Sequence, residues 1–201
     1  MPRQNRVQPT GDVLAIPTRG AFLGNRGVLH DEDAHEHGQL THRRWRHKAW
    51  VCCVLDFKNR RRTLMAPNRY TELFFYDESV ALAAGHRPCA ECRRADYTAF
   101  LSAAGHTGKV AQFDGQLHAA RAIPRTFGQY RQTADAHSLP AGAFILTDTG
   151  PALIWQDALH PFAPTGYGPP RSVRAGVVKV LTPAPTLKAL HAGYVPTVRL
   201  R

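Results

Sequence analysis

The segment Gly85-His86-Arg87-Pro88-Cys89-Ala90-Glu91-Cys92 constrains the fold more than any other stretch of this chain. Two cysteines three positions apart, on a turn stiffened by Pro88, aim both thiols at one locus. A thiolate that exchanges its proton for a dication such as zinc is a good ligand. The other cysteines are Cys52 and Cys53, so the four count as one candidate site. Arg87, Arg93 and Arg94 surround the pair with positive charge.

The flanking sequence says how that knuckle is held. Asp77-Glu78-Ser79 is a capping cluster, followed by the helical run Val80–Ala84, and Gly85 supplies the left-handed stop. Arg93 to Ala104 carries Asp96, Tyr97, Phe100 and Leu101 at helical spacing and ends at Gly105. With Cys92 in the first turn of that helix, the helix dipole favours its thiolate. Upstream, Trp50 to Phe57 is a near-continuous apolar run that reads as a buried strand. Neighbouring side chains of a strand point to opposite faces, so Cys52 and Cys53 cannot both reach one metal without a bulge or strand end. One ligand from that pair is expected, with a histidine or water completing a tetrahedron. His86, His30, His35, His37, His42, His47 and His118 are all candidates, and spacing does not rank them.

The remaining patterning gives an α+β chain: a small, zinc-knuckle-containing α/β N-terminal part and a mostly β C-terminal part, a meander or small barrel. Residues 1–12 read as a flexible basic lead-in, 13–106 as the metal-binding region, and 107–201 as a β-rich region packed on it. Val13 to Leu29, with Gly20, Gly24 and Gly27 among Arg19, Asn25 and Arg26, reads as loop turns, an anion cradle being the alternative. Thr63-Leu64-Met65 pairs back on the first strand in this reading, and Tyr70 to Tyr76 forms a second. Gln116 to Arg131 holds a short helix. Ala143–Leu146 and Ala152–Trp155 form a hairpin, Val177–Leu181 is a further strand, and Pro183–Leu190 is a closing helix. Ala81–Pro88 and Ala189–Pro196 match at five of eight positions, which suggests one device used twice: a helix stopped by glycine, then an extended turn into proline.

At 201 residues and 43% hydrophobic, the chain can bury a core without staples. It has no apolar run of about 18 residues and no signal-like N-terminus, so cytoplasmic residence and no membrane partner are expected. Lys and Arg number 26 against 15 Asp and Glu, a net charge of +11. From His42 to Arg62 the basic residues are Arg43, Arg44, Arg46, Lys48, Lys58, Arg60, Arg61 and Arg62, against the single acid Asp56, with Trp45 and Trp50 interleaved. A solvated face normally mixes signs, so this run points to a polyanion, most simply nucleic acid. Arg43, Arg44, Arg46, Arg60, Arg61, Arg62 and Arg93 are its expected phosphate contacts.

The stretch from Glu72-Leu73-Phe74-Phe75 through Ala81-Leu82-Ala83-Ala84 to Gly85-His86-Arg87-Pro88-Cys89-Ala90-Glu91-Cys92-Arg93 resembles the zinc-binding domain of Ada-type DNA methylphosphotriester repair proteins. That family has a paired-aromatic strand, an Ala-rich helix and a Gly-aromatic-Arg-Pro-Cys-x-x-Cys knuckle. The resemblance covers residues 72–93. It implies zinc at Cys89 and Cys92, and a basic surface facing DNA rather than RNA. In the family an earlier cysteine pair completes a four-thiolate site, and one thiolate accepts a methyl group. Here the upstream cysteines, Cys52 and Cys53, are adjacent and further from the knuckle, a departure from the family's spaced pair.

Two other functions fit parts of the sequence. A metal-dependent hydrolase or nuclease could use His118 with Asp114 and Arg121, or His30 with Asp31, as base and phosphate clamp. A thiol-disulfide oxidoreductase could use Cys89 and Cys92, but it needs a thioredoxin-like βαβ context that the flanks lack. The catalytic candidates across these readings are Cys52, Cys53 and His118.

Overall fold

The computed structural model describes residues 1–61 and 63–200, with only the backbone of His35; Arg62, one of the expected phosphate contacts, lies outside the described residues. The strands are β1 (Gln4–Val7), β2 (Val13–Ala15), β3 (Phe22–Asn25), β4 (Val51–Val54), β5 (Leu73–Phe75), β6 (Arg87–Pro88), β7 (Ala122–Ile123), β8 (Gly128–Gln129), β9 (Gln132–Asp135), β10 (Phe144–Thr147), β11 (Gly150–Trp155), β12 (Ala158–Ala163), β13 (Gly166–Tyr167), β14 (Arg171–Ser172) and β15 (Val177–Val180). The helices are α1 (Ala34–His37), α2 (Glu78–Ala83), α3 (Arg94–Ala103), α4 (Val110–Arg121) and α5 (Ala184–His191). The class is α+β, as the patterning implies.

One mixed sheet runs β2-β1-β5-β3-β4-β6. Its alternation is strict: Phe22, Cys52, Leu73 and Phe75 are buried on one face, while Leu23, Cys53 and Phe74 lie directly opposite one another on the other. The second sheet runs β13-β12-β11-β10-β15-β9, with β14 paired to β12. It is an open meander rather than a barrel.

Helix α2 touches β3 and β5 of the first sheet and β10 of the second. Every residue from Glu78 to Ala83 is buried, and the alanines let both sheets approach. Phe22, Leu73 and Phe75 meet Phe144, Leu153 and Phe162 in one core with Val80, Ala81 and Ala83. Each such large side chain contributes about 1.5–3 kcal/mol on burial. A second core packs α3, α4 and α5 on the meander through Phe100, Phe113, Leu117, Ile145 and Leu190.

The start of α2 is anchored by its acids. Asp77 Oδ1 accepts from the Val80 N–H at 3.0 Å and caps the helix. Asp77 Oδ2 accepts from Tyr167 Oη and the Arg199 N–H. Glu78 accepts from Tyr194 Oη at 2.6 Å and the Thr197 N–H at 2.9 Å. The last stretch of chain is thus strapped to the middle.

At the other end, Gly85 is left-handed (φ 84°), and the His86 N–H and Gly85 N–H return to Ala81 O and Leu82 O. Gly193 (φ 93°) repeats both bonds after α5, from the Tyr194 N–H to Ala189 O and from the Gly193 N–H to Leu190 O. The internal echo in the sequence is one helix stop built twice.

Four expectations are corrected. Residues 1–12 are no loose lead-in: β1 pairs in parallel with β5, and Asn5 and Val7 are buried. Val13 to Leu29 contains β2 and β3 rather than turns alone. Thr63-Leu64-Met65 does not pair with β4, whose neighbours are β3 and β6. Helix α4 also begins before the expected window, at Val110, and stops at Arg121.

Candidate metal centre

Cys53 owes its position to the alternation of β4. Helix α2 claims the Cys52 face, so Cys53 points outward from the same sheet. The knuckle is brought alongside by β6, which pairs in parallel with β4, Cys52 opposite Pro88. The Cys89 N–H donates to Cys52 O at 3.0 Å, and the Arg93 N–H closes the turn on Cys89 O at 3.1 Å. Within the turn the Glu91 N–H points at Cys89 Sγ, 3.4 Å away.

Two buried ion pairs clamp the knuckle from either side. Arg87 makes a bidentate pair with Asp114 of α4, at 2.7 and 2.8 Å. Arg93 reaches Glu78 at 2.8 Å and Asp96 at 2.8 Å. Removing one member of such a pair costs about 3–5 kcal/mol, so the turn is rigidly held.

The outcome is that Cys53, Cys89 and Cys92 have sulfurs all within 4.8 Å of one another. Tetrahedral zinc with Zn–S bonds of about 2.3 Å needs S···S separations near 3.8 Å, which small side-chain rotations would supply. The donor set therefore fits a thiophilic dication. Protonation follows the same geometry. Cys89 is lowered to about 5, chiefly by the hydrogen bond from Cys53, with burial opposing and the Cys92 and Glu91 N–H groups assisting. Cys53 is pushed up by its bond to Cys89 and by burial. Cys92 is raised by burial and by the charge on Cys89, against the Val54 N–H.

The sulfurs open onto a cavity of about 390 Å³ walled by Leu55, Phe57, Leu64, Phe74 and Tyr70. Its polar lining includes Glu72, Glu91 and Arg60, and the exposed Arg60 pairs with Glu91 at 2.6 Å.

Cys52 does not join the cluster. It is fully buried, its thiol raised by burial and by Glu78, with Arg93 Nη1 3.6 Å from the sulfur. Arg93 is likewise corrected as a phosphate contact, since its side chain is 4% exposed and committed to Glu78 and Asp96. Arg43, Arg46 and Arg61 are exposed, Arg46 Nε resting on Val28 O; Arg44 is half-buried and donates to Thr41 O. Arg60 faces the cysteine cavity.

The histidine candidates lie elsewhere. His118 stands edge-on to Trp45 and Trp50, with its pKa lowered to about 4 by burial, then by Arg121 and Lys48. Asp114, its expected partner, belongs to Arg87. His30 is buried against Thr71 and Ala66 O, and Asp31 pairs with His37. His86 is packed on Phe75 and Trp50, its Nε2 accepting from Arg26 Nε. The side chain of His35 is outside the described residues. Among the described residues, the three cysteines are the one metal-competent group of three or more such side chains.

No family model, curated protein or solved structure matches this chain. Among the described residues, no helix is long and apolar enough to cross a membrane.

Two features of the site escape sequence reasoning. Glu78 lies fifteen positions before Arg93 and reads only as a capping acid. Arg26 and Arg121 are fully buried against Trp50, although each sits in a stretch that reads as a turn or a surface helix.

Proposed function

We propose that this is a zinc-thiolate protein that binds or acts on nucleic acid. Cys53, Cys89 and Cys92 are the metal's protein ligands, and its fourth position faces the cavity. The observation that carries the reading is the convergence of three thiols from two distant segments onto one point beside that cavity. Bound zinc would hold the thiolates deprotonated and polarise a group at the fourth position. Glu72, Glu91 and Tyr70 would orient whatever enters, and the apolar wall would exclude water. The Ada-type resemblance supports zinc over other metals. A site of three thiolates with an open position differs from that family's four-thiolate arrangement.

The nucleic-acid partner, DNA before RNA, rests on the resemblance and on charge. The net +11 is concentrated in the 42–62 stretch, where Arg43, Arg46 and Arg61 are exposed. The hydrolase reading is weakened by the commitment of Asp114 to Arg87.

Metal analysis of the purified protein tests the reading. About one zinc per chain is expected in the wild type and in Cys52→Ser, and none in Cys53→Ser, Cys89→Ser or Cys92→Ser. Zinc retained in Cys53→Ser would refute the ligand set. Duplex binding should weaken steeply with salt, with a log–log slope that falls by about 0.9 for each contact removed by Arg43→Ala or Arg46→Ala. A salt-independent interaction would remove the nucleic-acid half of the proposal.

A further inference from the structure

A second cavity, of about 350 Å³, is lined by four arginines, Arg26, Arg44, Arg121 and Arg131, against one carboxylate, Asp12. That volume lies at the small end of ligand cavities, which run from about 300 to 1,000 Å³, and exceeds what a bare ion needs. Trp45, Trp50 and Phe127 share the lining.

The two innermost guanidiniums are the unusual ones. Arg26 is 2% exposed and Arg121 is 1% exposed. They lie 4.1 and 3.7 Å from the Trp50 ring centroid. Neither has an Asp or Glu within ion-pair distance among the described residues; their partners are backbone carbonyls and an imidazole. Arg26 donates to His86 Nε2 and Ala84 O, and Arg121 to Gly85 O and Lys48 O. Ala84 and Gly85 close the C-terminus of α2, so these cations also meet the negative end of a short helix. Partial charges of that kind do not neutralise two full buried charges. Buried charges without a paired carboxylate are expensive: burial lowers both guanidiniums, Arg44 adds to this at Arg26, and at Arg121 the charge of Arg26 adds to it while Asp114, held by Arg87, opposes. Two buried polar atoms of the lining, Arg121 Nε and Gln129 Oε1, have no hydrogen-bond partner. The cavity thus presents a cationic floor, an unused donor, an unused acceptor and aromatic walls.

We propose that this cavity binds a phosphomonoester attached to an aromatic base: a nucleoside 5′-phosphate, free or at the 5′ end of a strand. The phosphate supplies the missing counter-ion between Arg26 and Arg121, with Arg44 and Arg131 closing over it as forked donors. The base lies against Trp45 and Phe127, and its amino or imino hydrogens can reach Gln129 Oε1. This site shares no lining residue with the cysteine cavity and does not depend on metal at the thiols.

Tryptophan emission and thermal shift report the binding, since Trp45 and Trp50 line the cavity. Titration with adenosine 5′-monophosphate should quench fluorescence saturably and raise the melting temperature. Inorganic phosphate should compete, and adenosine should fail. A 5′-phosphorylated oligonucleotide set against its 5′-hydroxyl counterpart separates the two sources: preference for the phosphorylated strand over free nucleotide assigns the strand end, and the reverse assigns the free nucleotide. Arg26 and Arg121 are buried enough that their variants risk misfolding. The exposed-side double variant Arg44→Ala/Arg131→Ala should melt like the wild type without ligand and lose at least about ten-fold in affinity. Binding should be the same whether or not the purified protein carries zinc, so failure of the zinc reading would leave this result intact. Absence of saturable binding by all three phosphate probes would overturn the proposal. So would full affinity in the double variant, or adenosine binding as tightly as adenosine 5′-monophosphate.

Discussion

Arg93→Met separates a structural arginine from a phosphate-binding one. Arg93 Nη2 lies 2.8 Å from Glu78 Oε1, with the two side chains 4% and 1% exposed. Its aliphatic stem and guanidinium also cover Phe22, 4.8 Å from the ring centroid. Methionine replaces most of that packing but leaves the Glu78 carboxylate with only neutral donors, Tyr194 Oη and the Thr197 N–H. Orphaning one member of a buried pair costs about 3–5 kcal/mol. For a chain of this size that corresponds to a fall in melting temperature of about 6–20 °C. Urea unfolding followed by circular dichroism gives the free energy directly. Adding Glu78→Gln should recover part of the loss, with a coupling of at least about 1 kcal/mol between the two changes. The salt slope of duplex binding should be unchanged, because the guanidinium does not reach solvent. A loss below about 1 kcal/mol together with a reduced salt slope would refute this argument and return Arg93 to the nucleic-acid surface.

Two further outcomes follow from backbone geometry and from proton linkage. Gly85→Ala should cost about 1–2 kcal/mol in urea melts for its left-handed backbone, and more because the new Cβ would run into Arg121 Cδ; Gly115→Ala, within α4 and open to space, should instead stabilise by about 0.5–1 kcal/mol. His86 is held well below its ordinary pKa by burial, Arg26 and Arg121, and His118 is lowered to about 4 by burial, Arg121 and Lys48. Both are therefore neutral in the fold, whereas the unfolded chain takes up protons near pH 6.5. Their contribution is complete above about pH 6.5 and is lost as pH falls towards the folded values. Unfolding of chelator-treated protein should become easier from pH 7 to pH 5, and His118→Gln should flatten part of that slope; a pH-independent midpoint would contradict it.

Local signals carried much of this architecture. Knuckle spacing, the α2 cap and stop, the Trp50–Phe57 strand and the 143–155 hairpin all depend on residues close in sequence, and each has a counterpart in the fold. The alternation of β4 also dictated that one cysteine of the adjacent pair would turn away. Which one was not legible, because it depends on which face α2 covers. The remaining misses share that cause. Strand β1 finds its parallel partner β5 nearly seventy residues later, and Arg93 finds its acid on a different helix. The cation pair at Trp50 joins β3's end to the last turn of α4. Short-range periodicity holds no record of such pairings.

The strap across α2 has a consequence for how the protein is made. Emerging from the ribosome, the cysteine-bearing segments appear first, yet Asp77 and Glu78 lack their Tyr167, Tyr194, Thr197 and Arg199 donors until the chain has been made as far as Arg199. Until then Asp77 keeps only its Val80 cap and Glu78 only its pair with Arg93, so the helix beneath the thiol-bearing sheet gains its full set of donors well after the knuckle has emerged.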